Sequence, residues 1–291
     1  MISVLILTLN EEVNLAVCLE SVAWSNDIVV FDSYSTDRTV EIAAAAGARV
    51  YQREFDNYAA QRNAALSEVA YKNSWVLMVD ADERWPREIF EEIKTAIDSD
   101  NGDSVAIYHF RRKDFFHGRR LKHSSGYPTW AGRLVKLGQI SVKREINEEY
   151  HTTGGKAFLK SHFIHYPFNK GVAHWLERHN RYSSMEAKAI IEESRFPLRL
   201  GMLLFNDPTQ RRRFFKQLAY HLPFRPFLVF CYLYFFRLGF LDGSAGFTYC
   251  RLRCVYEYMI DLKIHELRRT EQSPEEDCPE RDVHLGLAQN K

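Results

Sequence analysis

Cysteine is scarce and scattered in this chain of 291 residues, which holds only Cys18, Cys231, Cys250, Cys254 and Cys278. The number is odd and no pair has C-x-x-C spacing, which argues against a zinc site and a disulfide scaffold and makes a reducing cytosol the expected compartment. An excess of one charge is missing as well, with 39 Lys and Arg against 38 Asp and Glu. No global field gathers nucleic acid, so nucleic acid is not an expected partner, and a charged ligand must be met by a local patch. Long apolar runs are also absent: the stretch Pro226 to Phe236 holds 11 uninterrupted residues, short of the roughly 20 that cross a bilayer as a helix. The opening MISVLILTLNEE passes from a short apolar run straight into acids, without a basic leader or small-residue cleavage site, and reads as a first strand. It is followed by no glycine-rich phosphate loop, and the chain has no internal repeat. What remains, 46% hydrophobic and 26% charged, is an ordinary globular balance for one or two domains.

From Ile2 to about Asp82, β-branched runs at 2–7, 27–31, 48–51 and 75–79 alternate with amphipathic stretches at about 11–22, 38–46 and 58–70. That alternation predicts βαβ units around a parallel sheet. Asn10 and Asp37 are placed to cap the first two helices, Gly47 to close the second, and Pro86 to sit in the first turn of a helix reaching Ile97. Beyond Asp100 the pattern changes to strands at 104–110, 133–137 and 156–165, with an irregular stretch at 115–132, which predicts a mixed sheet with antiparallel additions. A helix is expected over 172–193, a cationic and aromatic segment over 211–241, and a polar, disordered tail from Thr270.

The sharpest feature is WVLMVDADER, an apolar strand that ends in Asp80 and Asp82. Ligands of open α/β sheets bind at that strand edge. Side chains two apart on extended backbone share a side, so both carboxylates can reach one divalent cation, and hard oxygen donors favour Mg²⁺ or Mn²⁺ shared with substrate phosphates. Read another way, the same residues are a solvated turn ahead of a helix. In IVVFDSYSTDRTVEIA a second buried strand ends in Asp32, placed to accept hydrogen bonds from a base or ribose, while Ser35, Thr36 and Asp37 suit capping. Thr8, Asn10 and Glu11 end the first strand at the same edge. Gln61 and Arg62 begin a helix, where the guanidinium can bind phosphate or pair with a surface acid.

The segments VLILTLNEEVNLAVCLESV, VVFDSYSTDRTVEIA, AAQRNAAL and WVLMVDADE follow one another over about 80 residues. In that order and spacing they resemble the family 2 glycosyltransferases, whose fold is GT-A. The resemblance implies that Asp32 contacts the nucleotide base, that Asp80 and Asp82 hold the metal and the donor diphosphate, and that Arg62 lies by the nucleotide. Downstream, FFHGRRLKHSSGYPTWAGRLVKLG, REINEEYHTTGG, FIHYPFNKG, HNRYSSMEA and RLGFLDGSAG look like the subgroup of lipopolysaccharide-core β-1,4-glucosyltransferases. That subgroup often has a VHE-like triplet where this chain has Ile146, Asn147 and Glu148, which leaves Glu148 and Glu149 as alternative bases. The resemblance further implies an inverting hexosyl transfer, a UDP-sugar donor and a saccharide or lipid-linked acceptor. It also points to His165 as an addition to the metal shell. His162, His123 and His151 are weaker candidates, and Arg133, Tyr127 and Trp130 are placed to line the acceptor side.

The implied organisation is a GT-A catalytic domain over 1–168, with a nucleotide-sugar half at 1–100 and an acceptor half at 101–168, then a helical extension over 169–269. Arg211, Arg212, Arg213 and Lys216 precede the aromatic run, which suits peripheral attachment to the inner leaflet, or a hairpin packed on the catalytic domain. Two alternatives stand beside the transferase. A haloacid-dehalogenase-like phosphohydrolase also ends a strand in DxD, although that motif usually follows the first strand. The other is a nucleotide-sugar binder without catalysis.

Overall fold

The computed structural model of the chain describes residues 1–100, 104–143, 149–194, 222 and 224–272. Its first part contains β1 (Ser3–Thr8), α1 (Glu12–Ser21), β2 (Ile28–Asp32), α2 (Thr39–Ala45), β3 (Arg49–Gln52), α3 (Tyr58–Glu68) and β4 (Trp75–Asp80). The four strands are parallel in the order β3-β2-β1-β4. Both faces of β1 are covered, which explains its unbroken apolar sequence. Val4 and Ile6 pack with Leu15, Cys18 and Leu19 of α1, whereas Leu5 packs with Ala64 and Ala65 of α3.

The chain continues through β5 (Glu83–Arg84), α4 (Glu88–Ser99), β6 (Val105–Phe116), β7 (Arg119–Arg120), β8 (Thr129–Lys136), β9 (Ile140–Lys143), β10 (Glu149–Thr152), β11 (Gly155–His165) and α5 (Gly171–Ser194). Strand β8 runs antiparallel between β4 and β6, β11 lies parallel to β6, and β5 pairs antiparallel with the end of β11. The sheet is therefore mixed, as the change of pattern after Asp100 implies. Strands β9 and β10 form a separate antiparallel pair against α3. Because β6 runs parallel to β4, the carboxyl ends of β1, β2, β4, β6 and β11 share one edge.

Several local expectations need correction. The stretch expected to be irregular from Phe115 is shorter, because β6 extends to Phe116 and β8 begins at Thr129. Charged residues in RRKDFF hide the alternation there. Asn10 is not the cap of α1; it takes a left-handed φ of 54° ahead of Glu11, the capping position. Pro86 precedes the capping residue Arg87 of α4 instead of lying in its first turn. Gly47 closes α2 with φ +75°, where its N–H reaches Ala44 O at 3.0 Å.

A further apolar cluster joins Trp175, Ala187 and Ile190 of α5 to Tyr256, Ile260 and Ile264 of the long helix Gly243–Gln272, and extends to Phe116, Leu121 and Phe168. Before the long helix come a short helix, Arg225–Cys231, a π-turn, Tyr232–Phe236, and a 3-10 turn, Gly239–Asp242. Gly246 allows the close approach of that turn, since a Cβ there would lie 2.6 Å from the Asp242 Cβ. Asp242 ties this region to the sheet by accepting from the N–H groups of Lys122, His123 and Ser124 at 3.1, 2.9 and 2.8 Å and from the Ser124 hydroxyl at 2.7 Å. Among the described residues no single helix is long and apolar enough to cross a membrane, and Arg225–Phe236 meets Gly239–Thr270 at 73°. Arg211, Arg212, Arg213, Lys216 and the tail beyond Gln272 lie outside the described residues.

Candidate functional site

The loops after β1 and β2 are stitched together at the common edge. The Asp37 carboxylate accepts from the Glu12 N–H at 3.0 Å and the Thr39 N–H at 3.0 Å, so it serves the first turns of two helices at once. Asn10 Oδ1 accepts from Thr36 N–H at 2.8 Å, and Asn10 N–H donates to Ser35 Oγ at 2.8 Å. Glu11 pairs with Lys170 at 2.5 Å and accepts from Asn14 at 2.9 Å.

Asp32 is fully buried beneath this loop pair. Its carboxylate accepts from Thr8 Oγ1 at 2.8 Å, Ser35 N at 2.8 Å, Ser35 Oγ at 2.5 Å and Gln52 Nε2 at 3.2 Å. Four donors from three segments make it the keystone of the β1–β2 edge, and contact with a base would have to replace one of them. Gln61 belongs to the adjoining network, donating to Ser33 Oγ at 3.1 Å and accepting from Arg53 at 2.6 Å.

Asp80, at the end of β4, meets two buried guanidinium groups. Arg62 NH2 lies 2.9 Å from one carboxylate oxygen and Arg133 NH2 lies 2.5 Å from the other. Burial alone would raise the pKa of Asp80, but the charges of Arg133 and then Arg62 outweigh it and hold the carboxyl well below its ordinary range. Arg133 also reaches Glu83 at 2.5 Å. Glu83 is completely buried, accepts from Trp85 Nε1 at 3.3 Å, and is pushed upward by burial, with Asp80 and Asp82 adding to the rise against Arg133.

Asp82 has a different partner, since His165 Nε2 lies 3.4 Å from its Oδ2. The other ring nitrogen, Nδ1, lies 2.7 Å from Asp114 Oδ1, and Asp114 in turn pairs with Arg112 at 2.8 Å. Burial opposes charge on the ring, yet Asp82 and Asp114 together push His165 up to about 9. The imidazolium thus supplies the positive charge that Asp82 faces.

Asp80 and Asp82 consequently do not form a cage by themselves, and among the described residues no three acidic, histidine or cysteine side chains converge as one. The donor chemistry nevertheless fits a divalent cation. Two carboxylates stand at one edge, and Asp114 fixes Nδ1–H so that Nε2 is aimed at Asp82, the carboxylate–histidine arrangement that orients metal ligands once a cation takes the place of the Nε2 proton. Mg²⁺ and Mn²⁺ sites of this kind are completed by substrate phosphates and water.

The structure therefore brings together Arg62, Asp80, Asp82, Arg133 and His165, with Thr8, Asp32 and Gln61 in the neighbouring network. Asp114 and Glu83 were missed from sequence. Asp114 is one acid in a cationic run and gains its role only through the β6–β11 register, which places it beside His165. Glu83 gave a signal as the third acid of DADE. Glu148 lies outside the described residues, as does the side chain of Glu149, which opens β10. His123 contributes its backbone N–H to Asp242, His151 stands on β10, and His162 contacts Lys113. Arg133, expected on the acceptor side, pairs with Asp80 and Glu83. The Tyr127 and Trp130 rings receive the Arg120 and Arg111 guanidinium groups.

The lipopolysaccharide core biosynthesis glycosyltransferase LpsC of Rhizobium meliloti is 27% identical over 95% of this chain and 96% of its own. An uncharacterized glycosyltransferase of Rickettsia typhi is 28% identical over 67% of this chain and 69% of its own. Among solved structures, the mannosyltransferase PcManGT of Pyrobaculum calidifontis, in complex with GDP-Man and Mn²⁺, aligns with a TM-score of 0.51 at 14% identity. That alignment covers 91% of this chain and 86% of the other, and the shared fold is GT-A. The phosphohydrolase alternative falls, because the DxD follows the fourth strand of a GT-A sheet. Residues 3–171 match the sequence model of Glycosyl transferase family 2, and the chain belongs to that family.

Proposed function

We propose that this glycosyltransferase moves a hexose from a nucleotide-diphosphate sugar, a UDP-sugar by preference, to a saccharide or lipid-linked acceptor of the cell envelope, inverting the anomeric carbon. The observation that carries the reading is the pair of carboxylates at the end of β4, Asp80 held by Arg133 and Asp82 facing His165, on the edge where Asp32 and Thr8 end their strands. The full-length likeness to a lipopolysaccharide core enzyme supports an envelope acceptor.

In a single displacement the acceptor oxygen forms a bond to the anomeric carbon as the bond to the diphosphate breaks. Glu148, or Glu149 beside it, takes the hydroxyl proton, and the departing phosphate carries the new negative charge. Asp80, Asp82 and His165 would hold Mg²⁺ or Mn²⁺, which neutralises that charge as it grows. Arg62 and Arg133 keep Asp80 ionised for this task, Asp114 fixes the His165 ring, and Asp32 holds the loop against which the nucleoside rests.

The acceptor reading includes a membrane surface. Phe224, Phe227 and Phe236 are 81%, 62% and 81% exposed in the bent segment ahead of the long helix. An apolar knuckle of this kind suits shallow insertion beside anionic lipid on the cytoplasmic face of the inner membrane.

The reading is tested by thermal shift with UDP, GDP, ADP and CMP and their sugar conjugates, each with and without Mn²⁺, followed by transfer of labelled sugar to envelope glycan. Stabilisation that needs both the metal and one nucleotide, with subsequent transfer, supports it. Stabilisation without transfer to any acceptor favours a binder without catalysis, and no stabilisation of folded protein removes the donor site.

A further inference from the structure

We propose that Arg111, Lys113, Arg120 and His162 form a binding site for a phosphate group carried on a saccharide, with Trp130 and Phe158 receiving the sugar ring. Alternation along β6 divides its charges between two faces. Arg112 and Asp114 lie on the face of the metal-binding edge and pair with each other. Arg111 and Lys113 lie on the opposite face at the same end of the sheet, where β7 contributes Arg120 and β11 contributes His162.

No carboxylate of the described residues comes within ion-pair distance of Arg111, Lys113 or Arg120. The acid that responds to Arg111 is Glu92, and its oxygens are taken by the N–H groups of Lys160 and Ser161 at 2.7 and 2.8 Å. Lys113 Nζ contacts His162 Nε2 directly. Burial and then Arg120 and Arg111 depress the Lys113 ammonium, and burial followed by Lys113 depresses His162. Four basic groups are thus gathered at a mutual electrostatic cost that an anion would remove.

The two arginines are also preorganised. Arg111 lies 5.9 Å over the Trp130 ring and Arg120 lies 4.7 Å over the Tyr127 ring, so each guanidinium is held by its face with its N–H edge left for a ligand. The Nε atoms of Arg111 and Arg120 are buried without a hydrogen-bond partner. A phosphate monoester offers the charge and the paired acceptors that such edges fit.

The saccharide follows from the neighbouring rings. Trp130 is 41% exposed and Phe158 59% exposed, and they meet edge to face at 5.1 Å, with His109 stacked behind Phe158 at 4.9 Å. Exposed aromatic faces beside a cationic cluster suit the apolar face of a pyranose bearing a phosphate. That this saccharide is the acceptor rests on the transferase reading; the binding itself does not.

The test uses the full-length protein with mannose 6-phosphate, mannose, inorganic phosphate and phosphatidylglycerol vesicles as probes, read by calorimetry and by vesicle flotation. Wild type is expected to bind mannose 6-phosphate at least about tenfold more tightly than mannose or inorganic phosphate, and less tightly as salt rises. The Arg111→Gln/Arg120→Gln double variant should lose about tenfold in that affinity while its melting shift with donor and Mn²⁺ is unchanged. Trp130→Ala should weaken mannose 6-phosphate more than inorganic phosphate. If the double variant fails to fold, Lys113→Met replaces it. Equal sugar-phosphate affinity in wild type and variant overturns the proposal. So does loss of vesicle binding alone, which would make the cluster a lipid headgroup site. Sugar-phosphate binding without any donor shift in wild type would keep this site and remove the transferase reading.

Discussion

His165 Nδ1 lies 2.7 Å from Asp114 Oδ1, and that contact decides which ring nitrogen faces Asp82. The parallel register of β6 and β11 sets the two residues side by side, so the ring orientation is a product of sheet pairing. Asp114→Asn should therefore lower Mn²⁺ affinity by about 10- to 100-fold, the usual loss when the partner of a ligating histidine is removed. Titration of Mn²⁺ by electron paramagnetic resonance reads this directly. Reduced thermal stability with unchanged Mn²⁺ affinity would make Asp114 a packing residue only.

Asp80 and Asp82 should respond differently to substitution although they share the motif. Removing the Asp80 carboxylate leaves Arg62 and Arg133, both nearly buried, without their common counter-ion. Asp80→Ala should cost about 3 kcal/mol of stability, discounted from the larger values of fully buried pairs because Asp80 is partly exposed. Asp82→Asn keeps the shape of its site and should abolish metal-dependent donor turnover with a native melting curve. Chemical denaturation of the two variants beside an activity assay separates these effects, and an active Asp82→Asn protein would end the metal assignment.

How much of this site was legible in the sequence depends on which interactions are local. A strand buried on both faces prints an unbroken apolar run, so β1, β2 and β4 and the carboxylates that end them could be read directly. Asp114 sits in RRKDFF, where alternating burial is masked by charge on both faces. Its partner is 51 residues away across a parallel pairing that no local pattern specifies. Asp32 was readable as an edge carboxylate, but its enclosure by Thr8, Ser35 and Gln52 depends on three segments meeting.

Asp242 offers a test of how the helical extension is fastened. It accepts three backbone N–H groups and a hydroxyl from the loop at 122–124. Asp242→Ala leaves several of those donors without partners, which should cost about 2 to 3 kcal/mol. Limited proteolysis should then cut that loop earlier than in wild type. An unchanged digestion pattern would show that apolar packing around Phe168 and Trp175 is sufficient.

The exposed aromatic knuckle makes a separable prediction for membrane contact. Phe227→Asp with Phe236→Asp places charge where apolar rings are exposed and should reduce co-flotation with anionic vesicles severalfold, leaving the melting temperature near wild type. Unaltered flotation would mean that basic residues elsewhere carry the attachment.

His179 should give the fold an acid-sensitive helix contact away from the metal edge. Its ring stacks on Trp175 at 3.6 Å between centroids, and Nδ1 donates to Trp175 O at 2.8 Å. Burial, with Arg178 and Arg253 nearby, lowers the ring to about 4 despite the favourable backbone contact. The unfolded chain, with an ordinary value near 6.5, binds the extra proton first as pH falls. Stability from the neutral ring is thus complete above about 6.5 and is lost as pH drops toward 4. Urea denaturation of wild type between pH 7 and 4 should fall more steeply than that of His179→Phe, which keeps the stacking and removes the titration. Parallel curves for the two proteins would show that the acid sensitivity originates in other groups.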